Sequence, residues 1–212
     1  SDVVDCAHVV CMFFFLMFRR PPRSKLFPST TLFRSVNWSP DSRYLAVGGQ
    51  TPTSGNEIQI YSFNGSSLSL AASQDYGLSV FTVNWSPDGR YLAVGGGNAT
   101  SGNEIEIYSF NGSSLTSIAS LNLGTEIGVP SLNWSPDGRY LAFGLSSSPC
   151  DDIYIYSFNG LSLSFVASQE YGDLRTLNWS PDSRYLAVGG FSPTSEKEIQ
   201  LYSFTNNSLT LV

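Results

Sequence analysis

The chain has 212 residues, 42% hydrophobic and 13% charged, with eleven basic and seventeen acidic side chains and a formal net charge of −6. That balance argues against nucleic acid as a partner, because phosphate backbones are bound by clustered Lys and Arg. One histidine (His8) and three cysteines (Cys6, Cys11 and Cys150) offer no paired spacing for a disulfide framework, and no cofactor or metal is expected.

In chain order, the first segment is residues 1–35. Its apolar run, Val9 to Phe18, is far shorter than the roughly 20 residues of a membrane helix, so no membrane association is expected. Its basic residues follow that run, whereas a secretory signal carries them in front. From Met17 to Ser35 the chain reads MFRRPPRSKLFPSTTLFRS, which resembles the conceptual translation of a sequencing adapter, MIRRPPRSTLFPYTTLFRS, differing only at Phe18, Lys25 and Ser29. The expectation is a non-native leader, residues 1–35, that adds nothing to the fold. Without it, residues 36–212 carry six basic and fifteen acidic side chains, a formal charge of −9, with Cys150 as the only cysteine.

The remainder is a repeat. NWSPD begins at Asn37, Asn84, Asn133 and Asn178, and each copy continues into RYLAVGG or RYLAFGL and then EIQIYSF, EIEIYSF, DIYIYSF or EIQLYSF. Self-similarity at a period of about 47 residues signals a repeat architecture. Within each copy VNWSP reads as a strand and Ser-Pro-Asp as a turn, since Pro presets φ and Asp bonds nearby backbone. RYLAVGG is a second strand and EIQIYSF, rich in β-branched and aromatic residues, a third. Asn64-Gly65, Asn111-Gly112 and Asn159-Gly160 predict hairpins into the fourth. Four antiparallel strands per repeat make one propeller blade. The predicted fold is therefore all-β, a four-bladed β-propeller fragment forming an open ring, with blades at 36–82, 83–131, 132–176 and 177–212. Trp38, Trp85, Trp134 and Trp179 recur once per blade and are read as packing between blades, and the bare terminal blades are expected to self-associate.

These residues resemble the WD-repeat propellers and the related Tol-type propeller repeats, over residues 36–212. The SPDGRYLA segment carries the likeness. The Gly-His pair of the WD signature is absent, and Tyr61-Ser62, Tyr108-Ser109, Tyr156-Ser157 and Tyr202-Ser203 stand where its Trp-Asp would be. The resemblance implies a rigid platform whose rims bind protein partners.

The rim built from SPDG and FNG turns is repeated almost unchanged, as turn geometry alone requires. The opposite rim, formed by the loops after the second and fourth strands, varies from blade to blade, which is where repeat proteins place binding surfaces. Phe81, Pro130 and Arg175 hold one slot there, three residues before the NWS asparagine. With Tyr76, Tyr171 and Phe191 they are the candidate contact residues of a non-enzymatic interaction scaffold. Eight N-x-S/T sequons occur, at Asn37, Asn64, Asn84, Asn98, Asn111, Asn133, Asn178 and Asn206; a glycan on an NWS strand would wedge blades apart. Glu57, Glu104, Asp152 and Glu198 are read as hydrogen-bond acceptors in the turns before the third strand. The alternative function is a propeller hydrolase or lactonase using carboxylates at the central channel, drawn from Asp75, Glu126, Asp151, Asp152, Glu170 and Asp173.

Overall fold

A computed structural model describes residues 32–50, 56–77, 79–97, 102–124, 128–146, 152–191 and 198–212. The expected leader therefore lies outside the described residues as far as Thr31, as do parts of all four loops after the second strand. The described residues contain sixteen strands and no helix, hence no helix long and apolar enough to cross a membrane.

The strands form four antiparallel sheets, one per repeat. The first holds β1 (Leu32–Trp38), β2 (Tyr44–Gln50), β3 (Ile58–Phe63) and β4 (Leu68–Gln74); the second holds β5 (Ser79–Trp85), β6 (Tyr91–Gly97), β7 (Ile105–Phe110) and β8 (Leu115–Leu121). The third comprises β9 (Gly128–Trp134), β10 (Tyr140–Ser146), β11 (Ile153–Phe158) and β12 (Leu163–Gln169). The fourth comprises β13 (Asp173–Trp179), β14 (Tyr185–Phe191), β15 (Ile199–Thr205) and β16 (Ser208–Leu211). Each sheet is a meander, and one bridge from Gln50 to Ser79 ties the first to the second. The architecture is the predicted one: four propeller blades in an open arc.

The first strand of every blade begins four residues ahead of the predicted boundary, because the segment before NWS is itself extended and paired. In the first blade this recruits Leu32–Ser35, which had been assigned to the leader. Leu32, Phe33 and Ser35 pair with Gln50, Gly49 and Gly48. Ser35 Oγ accepts the Val83 amide of the next blade at 3.0 Å, as Ser131 Oγ accepts that of Leu177 at 3.2 Å.

The hairpin turns also differ from the simple reading. Phe63 pairs with Leu68, so Asn64-Gly65 opens a four-residue loop in which Asn64 Oδ1 accepts the amides of Ser66 and Ser67. The Asn-Gly loops of the second and third blades do the same. The two-residue turn occurs where no Asn-Gly stands: Thr205 pairs with Ser208, and Asn206 and Asn207 take φ of 51° and 60°, as a type I′ turn requires.

The core lies in the seams between blades. Ile58 and Ile60, Ile105 and Ile107, and Ile153 and Ile155 are all fully buried, each pair facing the following blade. Val83, Leu132 and Leu177 face the preceding blade and are as well covered. Glycine makes that approach possible: a Cβ at Gly48 would lie 2.9 Å from Val83 Cγ1, one at Gly95 2.8 Å from Leu132 Cδ2, and one at Gly144 2.0 Å from Leu174 Cδ2. The same positions at the two ends of the arc are bare: Val36 is 63% exposed and Ile199 75%.

Candidate functional site

One rim is fixed by local chemistry. In each Ser-Pro-Asp turn the serine hydroxyl donates to the aspartate Oδ1 at 2.6 Å and accepts the tyrosine amide five residues on at 2.9 Å. The residue after aspartate takes positive φ: Ser42, Gly89, Gly138 and Ser183 lie at 59° to 73°. The arginine that follows lies over the tyrosine ring beside it, at 5.5 to 5.8 Å. Two equivalent clefts, of about 520 and 370 Å³, open on this rim between successive blades. Their charged walls are the turn residues themselves, and Asp88, Asp137 and Asp182 are already paired with Arg90, Arg139 and Arg184.

These turns make the fold sensitive to acid. Donation from the Ser180 hydroxyl, and then from Arg184, pushes Asp182 down to about 2. Asp41 is lowered chiefly by Ser39; at Asp88 and Asp137 burial pulls upward, but the Ser and Arg donors outweigh it. Folded-state values below the unfolded value of about 3.9 mean that the stabilisation is complete above about pH 4 and is lost as the pH falls towards 2. Denaturant midpoints should hold between pH 7 and 5 and drop between 4 and 2, and Asp182→Asn should lessen that drop. An equally steep drop in Asp182→Asn would separate acid unfolding from this turn.

Beside this rim, a tryptophan, a phenylalanine and a tyrosine meet at each seam. Trp85 and Tyr44 contact Phe110, Trp134 and Tyr91 contact Phe158, and Trp179 and Tyr140 contact Phe204, edge to face at 4.9 to 5.4 Å. Trp85, Trp134 and Trp179 are packing groups, as read from the repeat, whereas Trp38 is 47% exposed and packs on Phe63 of its own blade. The NWS asparagines also serve the seams: Asn37 Oδ1 accepts the Trp85 amide, and Asn133 donates to Asn178.

The variable rim has a structural cause for its candidate slot. Pairing slips between Phe33 and Ser35, between Val80 and Thr82 and between Leu174 and Thr176, which leaves Arg34, Phe81 and Arg175 out of register. In the third blade the slip falls between Gly144 and Ser146, and Pro130, with no amide hydrogen to place, lies in the irregular stretch. Such bulges re-aim side chains and end pairing. Phe81 and Pro130 are half-buried and Arg175 is exposed. Arg175 Nη2 contacts Asp173 Oδ2 at 2.6 Å, and the Arg34 guanidinium lies 5.3 Å from the Phe81 ring centroid. Arg34 fills the same slot in the first blade, masked in the sequence by its place in the leader.

The other candidates fare differently. Tyr76 and Tyr171 are only 3% and 2% exposed, so neither offers a contact surface. Each closes a seam instead: the Tyr76 amide donates to Glu57 of the first blade and its hydroxyl to the Glu104 carbonyl of the second. Tyr171 likewise links Asp152 to the Glu198 carbonyl. Burial, followed by the fields of Glu106 and Glu104, raises the Tyr76 hydroxyl far above its ordinary range, so it remains a donor. The side chain of Phe191 lies outside the described residues, as do Cys150, Asp151, Glu126 and Asn98.

A signal for the tyrosines was present in the chain. Leu123 replaces tyrosine in the second such loop, and in the blade that follows the second glycine of the strand becomes Leu145, which is buried in the cluster Leu123 packs against. Where tyrosine stands, glycine must face it: a Cβ at Gly96 would lie 2.6 Å from Tyr76 Cε1.

Glu57, Glu104 and Asp152 are buried, and each accepts a backbone amide from the loop after its own fourth strand, from Tyr76, Leu123 and Tyr171 respectively. They accept hydrogen bonds as predicted, chiefly from a different loop. Among the described residues no three of His, Cys, Asp or Glu gather closely enough to hold a metal ion.

The model of the family described as the ELP1 first N-terminal beta-propeller matches residues 69–211. No curated protein sequence matches the chain. Among solved structures, the periplasmic gluconolactonase of Pseudomonas aeruginosa is similar over 89% of this chain and 55% of its own, at 16% identity and a TM-score of 0.66. Kuenenia stuttgartiensis hydrazine synthase is similar over 91% and 52%, at 14% and 0.65. The Cps50 (Swd1) beta-propeller domain of Myceliophteria thermophila is similar over 83% and 55%, at 17% and 0.59. The chain thus spans about half the length of each, and identities this low establish the shared fold alone.

Proposed function

Because the chain belongs to the ELP1 first N-terminal beta-propeller family, we propose that it is a non-enzymatic propeller scaffold that binds a protein partner through its variable rim. One observation carries this reading: the bulge slot holds Arg34, Phe81, Pro130 and Arg175 in turn, three different chemistries on a backbone otherwise repeated. A fold that needed only to stack blades has no use for that variety. The SPDGRYLA segment resembles that of the WD-repeat and Tol-type propellers, and residues 17–35 resemble a translated sequencing adapter.

The test is quantitative binding to a partner isolated by crosslinking. Phe81→Ala and Arg175→Ala should each weaken capture by about tenfold or more, as residues at the centre of an interface do, while thermal midpoints stay put. Unchanged capture by both variants would remove the rim from consideration. Hydrolysis of a gluconolactone by the wild-type chain, lost on changing exposed carboxylates such as Asp75 or Asp173, would favour the lactonase alternative instead.

A further inference from the structure

The three Asn-Gly loops share a backbone and differ in one side chain, which stands where charge would develop if the asparagine cyclised. Gly65, Gly112 and Gly160 hold φ of 93°, 98° and 95°, and Asn64, Asn111 and Asn159 are all exposed. In the second blade Asn111 Oδ1 accepts the Ser113 amide at 3.0 Å, the Ser113 hydroxyl at 3.1 Å and the Ser114 amide at 2.9 Å. Asn64 Oδ1 accepts the same three groups of Ser66 and Ser67, at 3.0, 3.0 and 2.9 Å, and the Ser67 hydroxyl at 3.2 Å. Asn159 Oδ1 keeps both amides, from Leu161 and Ser162 at 2.9 Å, but Leu161 brings no hydroxyl. The side-chain amides do not distinguish the internal loops, since Asn111 Nδ2 donates to Ser114 Oγ and Asn159 Nδ2 to Ser162 Oγ. The ring closed by the Ser113 amide on Asn111 Oδ1 includes Cγ, Cβ, Cα and the carbonyl carbon of Asn111 and the nitrogen of Gly112. Those are the five ring atoms of a succinimide, and glycine has no side chain to block its nitrogen.

We propose that Asn111 and Asn64 are sites of intramolecular deamidation promoted by the serine hydroxyl two residues on, with Asn159 the slow member of the series. The Gly112 nitrogen gives its proton to solvent base and attacks Asn111 Cγ. The new N–C bond leaves negative charge on Oδ1, where the Ser113 hydroxyl and two amides already donate. Donors set in place around a developing oxyanion are what stabilises the intermediates of acyl transfer. As the carbonyl re-forms, the Cγ–Nδ2 bond breaks and Nδ2 leaves as ammonia, taking a proton from water. Water then opens the succinimide: cleaving Cγ from nitrogen gives aspartate, and cleaving the main-chain carbonyl carbon from nitrogen gives isoaspartate. Either product adds one negative charge, and isoaspartate adds one backbone atom to the loop that Phe110 and Leu115 close. These loops lie on the rim of repeated turns, so the inference stands independently of a partner on the variable rim.

Incubation of the full chain in mildly alkaline buffer tests it, read by mass spectrometry of the three loop peptides and by enzymatic methylation of isoaspartate. Asn64 and Asn111 should deamidate about fivefold or more faster than Asn159; a buried oxyanion donor is worth about 10²–10³, and water competes in an exposed loop. Ser113→Ala should slow Asn111 by about that fivefold factor while Asn64 in the same molecule keeps its rate and serves as a clock. Leu161→Ser should quicken Asn159. Ser113 is exposed and Leu161 is 76% exposed, so neither change disturbs packing. In concentrated urea the three rates should converge, because the hydrogen bonds that distinguish the loops are gone. An Asn159 as fast as Asn111 overturns the proposal. So does an Asn111 rate that holds or rises in Ser113→Ala, or a difference between the loops that survives urea.

Discussion

Trp85→Ala should cost about 3–5 kcal/mol of stability, the usual range for removing a large buried aromatic side chain, and should leave binding at the variable rim untouched. Trp85 is 4% exposed and lies edge to face with Phe110, which Tyr44 of the first blade also contacts. Its removal therefore opens a cavity between two blades. The repeat provides an internal control: Trp38→Ala alters the same residue where nearly half of it already meets solvent, and should cost far less in a dilute monomer. Urea denaturation of the two variants makes the comparison. Equal losses would show that the tryptophan acts within its own sheet; a stable Trp85→Ala variant that no longer binds would place the partner on the tryptophans.

Gly96→Leu should be comparably damaging, at about 3 kcal/mol, near the upper end of what overpacking usually costs. The added Cβ would lie 2.1 Å from the Ser79 carbonyl oxygen and 2.6 Å from Tyr76 Cε1. Backbone cannot swing aside as the end of a side chain can. Adding Tyr76→Leu copies the Leu123 and Leu145 pair of the next seam and should recover part of the loss, giving a coupling within the 0.5–3 kcal/mol of directly contacting residues. Strictly additive effects in a double-mutant cycle would mean that the loop and the strand do not sense each other.

What could be read from the chain was what local chemistry and repetition jointly determine. Ser39, Pro40 and Asp41 specify their turn through bonds spanning five residues, so the turn is legible wherever the tripeptide stands. Tryptophan at one phase of every repeat is legible as packing, because only an environment that also repeats asks for it four times. The misreadings share a cause. Tyr76 and Tyr171 lie in loops whose sequence varies, and variation was taken for exposure; the hydroxyl acceptors that bury them are carbonyls 28 and 27 residues further on, beyond any local pattern. Leu32–Ser35 were set aside by resemblance, yet their alternation matches Asp173–Thr176 closely enough to pair in the same register. Half of the candidate row was legible only as a slot of differing chemistry. That the slot is a bulge depends on hydrogen bonds to the neighbouring strand, which no single-strand pattern reveals.

The pairing of Tyr76 with Gly96 and of Leu123 with Leu145 bears on how such repeats are copied and diverge. A lineage changing one member alone passes through either a leucine forced against a tyrosine ring or a glycine facing an emptied pocket. Both intermediates are less stable than either end point, so single substitutions are selected against. Duplication that carries a loop together with the strands after it crosses in one step, since the two partners lie within about 23 residues of each other. The unit that can be inherited whole therefore runs from one fourth strand to the next, out of phase with the blade that the eye picks out.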